Sequence, residues 1–189
     1  MINFTEAKTS LDLSYKKLVI FNNLPNVDIL ECSDNNLKTL KNAPSSLIML
    51  DCNRNKLPTL TGCPDSVERL YCEKNQLGTL EGCPKNAKII LCSNNILSSL
   101  FGISQNVKFL DCTNNNLKNL NFIPSNIEYL YCCNNDPYLD LFLLPETIIH
   151  ISHNSNHPDY KDKNTEQIHL INNNKKRAGY NLNFNYLYK

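Results

Sequence analysis

Residues 47–64 read LIMLDCNRNKLPTLTGCP, and the same frame returns every twenty residues between Val27 and Asn135. Written out, the frame is apolar-x-x-Leu-x-Cys-x-x-Asn-x-Leu-x-x-Leu-x-x-x-Pro. Its cysteine keeps one place throughout, at Cys32, Cys52, Cys72, Cys92, Cys112 and Cys132. A fixed period of this length indicates a solenoid, because a unit so short cannot bury its own apolar face and must stack on its neighbours.

The frame continues beyond the regular units in altered form. Leu11 and Leu13 fit it on the N-terminal side with one residue deleted. On the C-terminal side, Pro137 displaces a leucine and one inserted residue delays Ile148. Altered terminal units are typical of solenoids. The sequence therefore predicts four parts: an N-terminal cap with a degenerate first repeat (1–26), six regular repeats (27–146), a degenerate last repeat (147–163) and a C-terminal cap (164–189).

The repeated residues resemble the leucine-rich repeat, whose core is L-x-x-L-x-L-x-x-N/C-x-L. The twenty-residue length and the Pro-x-x-apolar lead-in, as from Pro64 to Val67, resemble the short repeats of bacterial type III effectors of the YopM and IpaH class. Asn- and Lys-rich repeat proteins of giant amoeba viruses are also similar. The resemblance implies a leucine-rich repeat solenoid over roughly residues 11–156. It says little about activity, because one fold serves many functions.

Each slot of the frame has a predicted direction. Side chains alternate between the two faces of a strand, so Leu50 and Cys52 point inward while Met49, Asp51 and Asn53 point outward. We expect one strand per unit, stacked into a parallel sheet on the concave face with about 4.8 Å between strands. The convex side has no room for a full helix, so we expect polyproline, short 3₁₀ or irregular segments there.

The recurring asparagine stands where each strand turns into a loop. Its side-chain amide carries both a donor and an acceptor, so we predict that it ties backbone groups of adjoining coils together. The residue just before the proline position, as in Cys63 and Ile123, marks a second buried row. The regular asparagines are Asn35, Asn55, Asn75, Asn95, Asn115 and Asn135.

Composition and charge argue against several partner classes. The formal net charge is only +1, and the cations are scattered among carboxylates, unlike a nucleic-acid or membrane footprint. The N-terminus lacks a basic start followed by an apolar run, and no stretch of about 18 apolar residues occurs. We therefore expect an intracellular protein in a reducing compartment, the cytoplasm of its own cell or of a host. It should bind a protein, with no nucleic acid, membrane or cofactor.

Nine cysteines invite a disulfide or metal interpretation. Their odd number and a start without a secretory signal favour free, buried thiols. No Cys-x-x-Cys pair occurs, and the only plausible ligand cluster is Cys132 and Cys133 with His150, His153 and His157. Cys132 and His153 should point inward, whereas Cys133 and His150 should point outward. We therefore expect no metal site.

Catalytic patterns are equally weak. Cys32-Ser33-Asp34 matches the Cys-x-Asp pattern of the ubiquitin-ligase domain in some effectors with similar repeats. However, Cys32 is a ladder cysteine, and a buried thiol is a poor nucleophile. Cys133 and His150 could form a Cys-His pair, but no oxyanion hole or third member is recognisable. We predict no enzyme and no catalytic residue, and keep a thiol- or zinc-dependent protein as the least favoured hypothesis.

The outward strand positions vary between units, whereas the inward ones do not. An exposed apolar patch rimmed by charge is typical of protein interfaces. We predict a partner-binding surface on the concave face, formed by Met49, Arg69, Tyr71, Ile89, Leu91, Phe109, Asp111, Tyr129 and Tyr131. Asp12, Glu31, Asp34 and Asp51 give its N-terminal part an acidic side. The alternative is that stacked tyrosines only stabilise the sheet.

Two functional hypotheses follow from this surface. The leading one is a non-enzymatic module that binds a protein through the concave face. The other is a host-directed effector or scaffold that presents a partner to a separate signalling enzyme.

The C-terminal segment has the pattern of a cap. Asn164 and Gln167 form a capping box that begins a predicted helix over about residues 165–177. Lys175-Lys176-Arg177 suit the last turn of that helix, or alternatively a nuclear signal. From Tyr180 to Tyr188 apolar and polar residues alternate, which predicts a strand that pairs with the last coil or with another chain.

Overall fold

The computed structural model describes residues 9–137, 139–141 and 144–153. These residues form one parallel sheet of eight short strands whose order in the sheet follows their order in the chain. The strands are β1 (Ser10–Asp12), β2 (Ile29–Glu31), β3 (Met49–Asp51), β4 (Arg69–Tyr71), β5 (Ile89–Leu91), β6 (Phe109–Asp111), β7 (Tyr129–Tyr131) and β8 (His150–Ser152). One strand per repeat confirms the predicted solenoid.

The register of the sheet follows the sequence frame slot by slot. Leu50 pairs with Leu30 on one side and with Leu70 on the other, and the whole sheet keeps this alignment. The middle residue of β2 to β8 is buried, and so is the cysteine two places after it from Cys32 to Cys132. Two inward rows of the strands therefore meet the leucines of the loops in one continuous core.

The recurring asparagines join adjacent coils. The Asn55 amide nitrogen donates to the carbonyl oxygens of Cys52 at 3.1 Å and of Cys32, one coil back, at 3.0 Å. Its oxygen accepts the Leu37 N–H, also one coil back, at 2.9 Å. A buried backbone group without a partner costs about 1–3 kcal/mol, so each amide stabilises two coils at once. The same three bonds recur at Asn75, Asn95 and Asn115.

The ladder cysteines are buried packing residues. The Cys52 N–H donates to the carbonyl oxygen of Tyr71 in the next coil at 2.8 Å, and the Cys52 thiol donates to the same oxygen at 3.3 Å. A thiol is a small apolar group with a weak donor, so it fills the inward slot without leaving a strong donor unpaired. All nine cysteines of the chain are free thiols.

The convex return path consists of tight turns, and no helix occurs in the part of the chain that the structure describes. In one coil, the carbonyl oxygen of Leu60 accepts the Cys63 N–H at 2.9 Å, and that of Pro64 accepts the Val67 N–H at 3.2 Å. The residues before the proline position pack against the core as expected, with Ile103 buried and Cys63 partly buried. Of the convex conformations that we considered, the irregular one is present.

Adjacent coils approach each other closely at one slot of this convex turn. Gly82 has a φ of 84° there, and an added Cβ would lie 2.4 Å from the Thr61 nitrogen. Gly62 and Gly102 share this left-handed conformation. Glycine in this slot therefore meets two requirements, a positive φ and space for the preceding backbone.

The two ends of the sheet lie where the sequence departs from the regular frame. β1 lies in the N-terminal part, and β8 begins the degenerate last repeat, with Ile151 buried. The predicted helix over 165–177, the aromatic tail and His157 lie outside the described residues. Within residues 9–137, 139–141 and 144–153, no helix is long and apolar enough to cross a membrane.

Replacing Gly82 with alanine should lower the stability of the solenoid. A Cβ at this φ is strained, and it would clash with backbone atoms of the preceding coil, which cannot move aside cheaply. We expect a loss of about 1–3 kcal/mol, measured as a lower urea midpoint.

Gly78→Ala is the matched control in the same repeat. Nothing lies within 4 Å of a Cβ added at Gly78. Alanine there should be neutral or should stabilise by up to about 1 kcal/mol, because it restricts the unfolded chain. Equal losses for the two variants would contradict the close approach of the coils at Gly82.

Candidate functional site

The outward residues of the strands form two straight rows on the concave face. The strand register aligns the first residues of successive strands in one row and the third residues in the other. The first row contains Ile29, Met49, Arg69, Ile89, Phe109, Tyr129 and His150. The second row contains Glu31, Asp51, Tyr71, Leu91, Asp111, Tyr131 and Ser152. The structure thus brings all nine residues of the predicted surface onto adjacent strands.

Four rings of β6, β7 and β8 form an aromatic cluster at one end of these rows. Phe109 stacks on Tyr129 with ring centroids 5.9 Å apart, and it lies 5.4 Å from Tyr131. Tyr131 in turn lies 4.9 Å from the ring of His150. All four residues are half-buried. The rings hold one another in place and still present apolar area to a partner.

The prediction that Tyr71 and Leu91 are exposed is wrong. Tyr71 and Leu91 are only 6% and 8% exposed, although they point away from the core. They pair with each other across β4 and β5, in the middle of the sheet. Side chains on strands about 4.8 Å apart cover their neighbours, so the central positions lose more surface than those near the ends. These two residues form the floor of the concave face rather than its exposed contacts.

The N-terminal half of the concave face is acidic. The carboxylate of Asp51 accepts the Asn53 N–H at 3.0 Å and lies near Glu31, Glu73 and Asp34. Partial burial, followed by the charges of these carboxylates, raises the pKa of Asp51 above its ordinary value of 3.8. Asp51 therefore carries its charge at the expense of folding stability.

Basic residues lie beside this acidic region. Arg54 forms an ion pair with Asp34 at 3.1 Å, and both Arg54 and Lys74 line the same open depression of about 300 Å³ as Asp51. Arg69 projects from β4 in the first row. Cations therefore flank the carboxylates of this acidic region.

The ladder thiols lie in an environment that opposes ionisation. Burial raises the pKa of Cys132 to about 12 and raises the pKa values of Cys52, Cys72 and Cys112 well above the ordinary value of 9.0. The pKa of Cys32, which precedes Ser33 and Asp34, is also raised by burial and next by the charge of Asp51. A thiol that stays protonated is a poor nucleophile.

Cys133 and the histidines lie near the C-terminal end of the sheet. The Cys133 sulfur is 3.0 Å from the Ser152 hydroxyl, and His150 belongs to the aromatic cluster. His153, in the slot of the ladder cysteines, is half-buried. Within the described residues, no three His, Cys, Asp or Glu side chains form a group that could hold a metal ion.

A second aromatic feature, on the convex turns, was missed by the sequence analysis. Phe101 and Phe122 are 53% and 54% exposed, and their rings meet edge to face at 5.7 Å. Phe122 adopts a φ of 71°, in the slot where the three preceding units have glycine. The signal was this exception to the pattern, because a bulky residue in a left-handed conformation is strained and such strain is concentrated at functional sites. Beside it lies a cavity of about 240 Å³, lined in part by Leu141 and Leu144.

Asp51→Asn should stabilise the protein at neutral pH. Folding raises the pKa of Asp51, so this group contributes most stability below pH 3.8 and loses that contribution as the pH rises through its folded pKa. The asparagine oxygen can still accept the Asn53 N–H but carries no charge. We expect a higher melting temperature than the wild type at pH 7 and a smaller difference at pH 3.

Asp111→Asn is the control for this substitution. Asp111 occupies the same slot and accepts the Thr113 N–H at 2.9 Å, but neither of its row neighbours, Leu91 and Tyr131, is a carboxylate, whereas Glu31 lies beside Asp51. Its replacement should change the melting temperature less. An Asp51→Asn protein that is less stable than the wild type at pH 7 would contradict the claim that the charge of Asp51 destabilises the folded protein.

The native protein should react slowly with iodoacetamide at all six ladder cysteines. With a pKa of about 12, roughly one Cys132 thiol in ten thousand is ionised at pH 8, and its access is blocked as well. The unfolded protein in guanidinium chloride should be alkylated at all nine cysteines. Mass spectrometry of digests measures the alkylation rates of the native and the unfolded protein. Rapid alkylation of a ladder thiol in the native protein would favour the hypothesis of a thiol-dependent protein.

No family model and no curated protein matches the sequence. Solved structures do match. YopM, a leucine-rich effector protein from Yersinia pestis, is 28% identical with a TM-score of 0.64, and the match covers 77% of this chain and 42% of that chain. A Shigella effector leucine-rich repeat domain is 26% identical with a TM-score of 0.59, and the match covers 70% of this chain and 71% of that chain.

These matches agree with the frame that the sequence repeats. The chain spans less than half the length of the YopM chain that it matches. The resemblance to the repeats of giant amoeba viruses stays a prediction. The repeated frame, the strand ladder and the two structural matches together identify the chain as a leucine-rich repeat protein whose solenoid resembles those of bacterial effectors.

Proposed function

We propose that the protein is a non-enzymatic module that binds a partner protein on its concave sheet. The observation that carries this proposal is the half-exposed aromatic cluster of Phe109, Tyr129, Tyr131 and His150 on a rigid sheet face. Aromatic side chains supply much of the binding energy in protein interfaces, since they bury large areas at low cost in conformational entropy. The likeness to effector repeat domains supports a protein-binding role.

The shape of the sheet favours a protein over a small ligand. The two rows continue without a break across seven strands, β2 to β8, and the strands are held together by hydrogen bonds between coils. A surface held this firmly loses little freedom on binding. Met49, Arg69 and Ile89 extend the contact area beyond the cluster, over the buried floor formed by Tyr71 and Leu91.

The place of action belongs to the same proposal. Nine free thiols suit a reducing compartment, where cysteines remain unpaired. The chain then works inside a cell, its own or that of a host, and binds its partner without a metal or cofactor. Neither a nucleic acid nor a membrane is the proposed partner, because the concave face carries excess negative charge.

A second candidate function is an effector-like scaffold that presents its partner to a separate signalling enzyme. The observation that favours it is the exposed pair of Phe101 and Phe122, which lies on the turns and not on the sheet. Two apolar surfaces on different sides of one solenoid allow two proteins to bind at once. The likeness to YopM and to the Shigella effector domain agrees with this role.

Replacing Phe109 and Tyr131 with serine tests concave binding. Loss of one aromatic anchor costs about 2 kcal/mol or more, so partner affinity should fall at least about thirtyfold even where the two losses are not additive. The measurement is quantitative capture from a eukaryotic cell lysate with the wild type and the variant as baits. The melting temperature of each bait shows whether the variant is folded.

Phe101→Ser with Phe122→Ser is the matched control, because it removes the same number of rings from the other surface. Concave binding predicts that this control captures the main partner as well as the wild type does. If the Phe109 and Tyr131 variant captures the partner as well as the wild type does, the proposal is wrong. A scaffold predicts that each double variant loses a different set of proteins and that one set contains a signalling enzyme.

A further inference from the structure

Charge is distributed unevenly between the concave face and the rest of the chain. Three positions of each coil face outward here: the first residue of the strand, its third residue, and the residue two places after that third residue. In the described strands these positions hold five carboxylates, Asp12, Glu31, Asp51, Glu73 and Asp111, and the single cation Arg69. The chain as a whole has a formal net charge of +1. The concave face is therefore acidic on a protein that is nearly neutral.

In the acidic part the four carboxylates Glu31, Asp34, Asp51 and Glu73 outnumber the three cations Arg54, Arg69 and Lys74. Arg54 is engaged with Asp34 at 3.1 Å, and Glu73 accepts a hydrogen bond from the Ser93 hydroxyl at 2.6 Å. Asp51 accepts a backbone N–H and has carboxylates on both neighbouring coils, at Glu31 and Glu73. A bound ammonium or guanidinium group would relieve the repulsion among these groups, whereas an acidic ligand would increase it.

The acidic and aromatic regions are separated by a fixed distance. Asp51 and Tyr131 belong to the same row, on β3 and β7, which are four strand steps apart. At about 4.8 Å per step this is about 19 Å. An extended peptide that crosses the strands advances about 3.3 Å per residue, so five or six residues span the two regions. Between them, buried Tyr71 and Leu91 form a floor over which such a peptide can lie, and Asp111 follows Leu91 beside Tyr131.

We infer that the concave face binds an extended segment of a partner protein in which a Lys or Arg lies five or six residues from a large apolar or aromatic residue. The basic side chain lies over Asp51 and Glu31, and the apolar one packs on Phe109 and Tyr131. This inference rests on the proposed function and adds the chemistry of the partner to it. The chain's own Lys175-Lys176-Arg177, followed by Tyr180, has similar chemistry and is the competing occupant.

Selection from a phage library of random dodecapeptides against the full chain tests the inference. Enriched peptides should contain a basic residue five or six positions from an aromatic or large aliphatic residue. A selected peptide should bind Glu31→Lys/Asp51→Lys at least about tenfold more weakly than the wild type. Its affinity for the wild type should also fall as salt is added, since exposed charges are screened.

Glu81→Lys/Glu146→Lys is the matched control for this variant. Both glutamates are exposed and lie outside the strands, and the pair changes the net charge by the same amount. The control should bind the selected peptides as tightly as the wild type does. Equal weakening in both variants would show that net charge alone matters, and would overturn the inference.

The remaining outcomes separate this inference from the proposed function. One outcome is that the selected peptides lack a basic residue but bind the Phe109 and Tyr131 variant more weakly than the wild type. This result would overturn the inference and would still support binding on the concave face. A second outcome is that the wild type enriches no peptides beyond those enriched by the Phe109 and Tyr131 variant. This result would overturn the inference, and the capture experiment with cell lysate would still test the proposed function. Enrichment only after Lys175, Lys176 and Arg177 are changed to glutamate would assign the face to the chain's own C-terminal segment and would overturn the inference of a partner.

Discussion

The side-chain amide of Asn55 joins two coils through hydrogen bonds to Cys52, Cys32 and Leu37. A coil of twenty residues cannot satisfy its own backbone groups or bury its own leucines, so every other feature depends on bonds of this kind between neighbours. Because the amide recurs at one slot, each coil stacks without slipping. The strict register of the sheet follows, and with it the straight rows of outward side chains.

The same stacking explains the cysteines. Each inward thiol lies directly beside the next coil, where Cys52 reaches the Tyr71 carbonyl oxygen through both its N–H and its thiol. A thiol fills this slot as a small apolar group, whereas a serine hydroxyl would bring a stronger polar group into the core. The number of cysteines suggests redox or metal chemistry, but their burial raises their pKa values and makes them packing residues.

Function then depends on residues that the fold leaves free to vary. On the concave face Glu31, Asp51 and Glu73 lie near β2 to β4, whereas the rings lie on β6 to β8, where Asp111 is the one carboxylate of the rows. Asp51 carries its charge against partial burial and the repulsion of Glu31 and Glu73, and Phe122 adopts a left-handed conformation in a slot of glycines. Each residue therefore carries a cost to the stability of the solenoid. Residues kept at a cost to stability are reasonable candidates for binding.

The sequence by itself determined the architecture, because a twenty-residue period leaves one way to stack the coils and assigns an inward or outward direction to each slot. It therefore predicted the strands, the asparagine bonds and the rows that hold Phe109 and Tyr131. Only the tertiary structure decided how much of each outward residue remains exposed, since that depends on neighbouring coils. For this reason Tyr71 and Leu91 are buried, and Phe101 and Phe122, which lie twenty-one residues apart in the chain, meet on the convex turns.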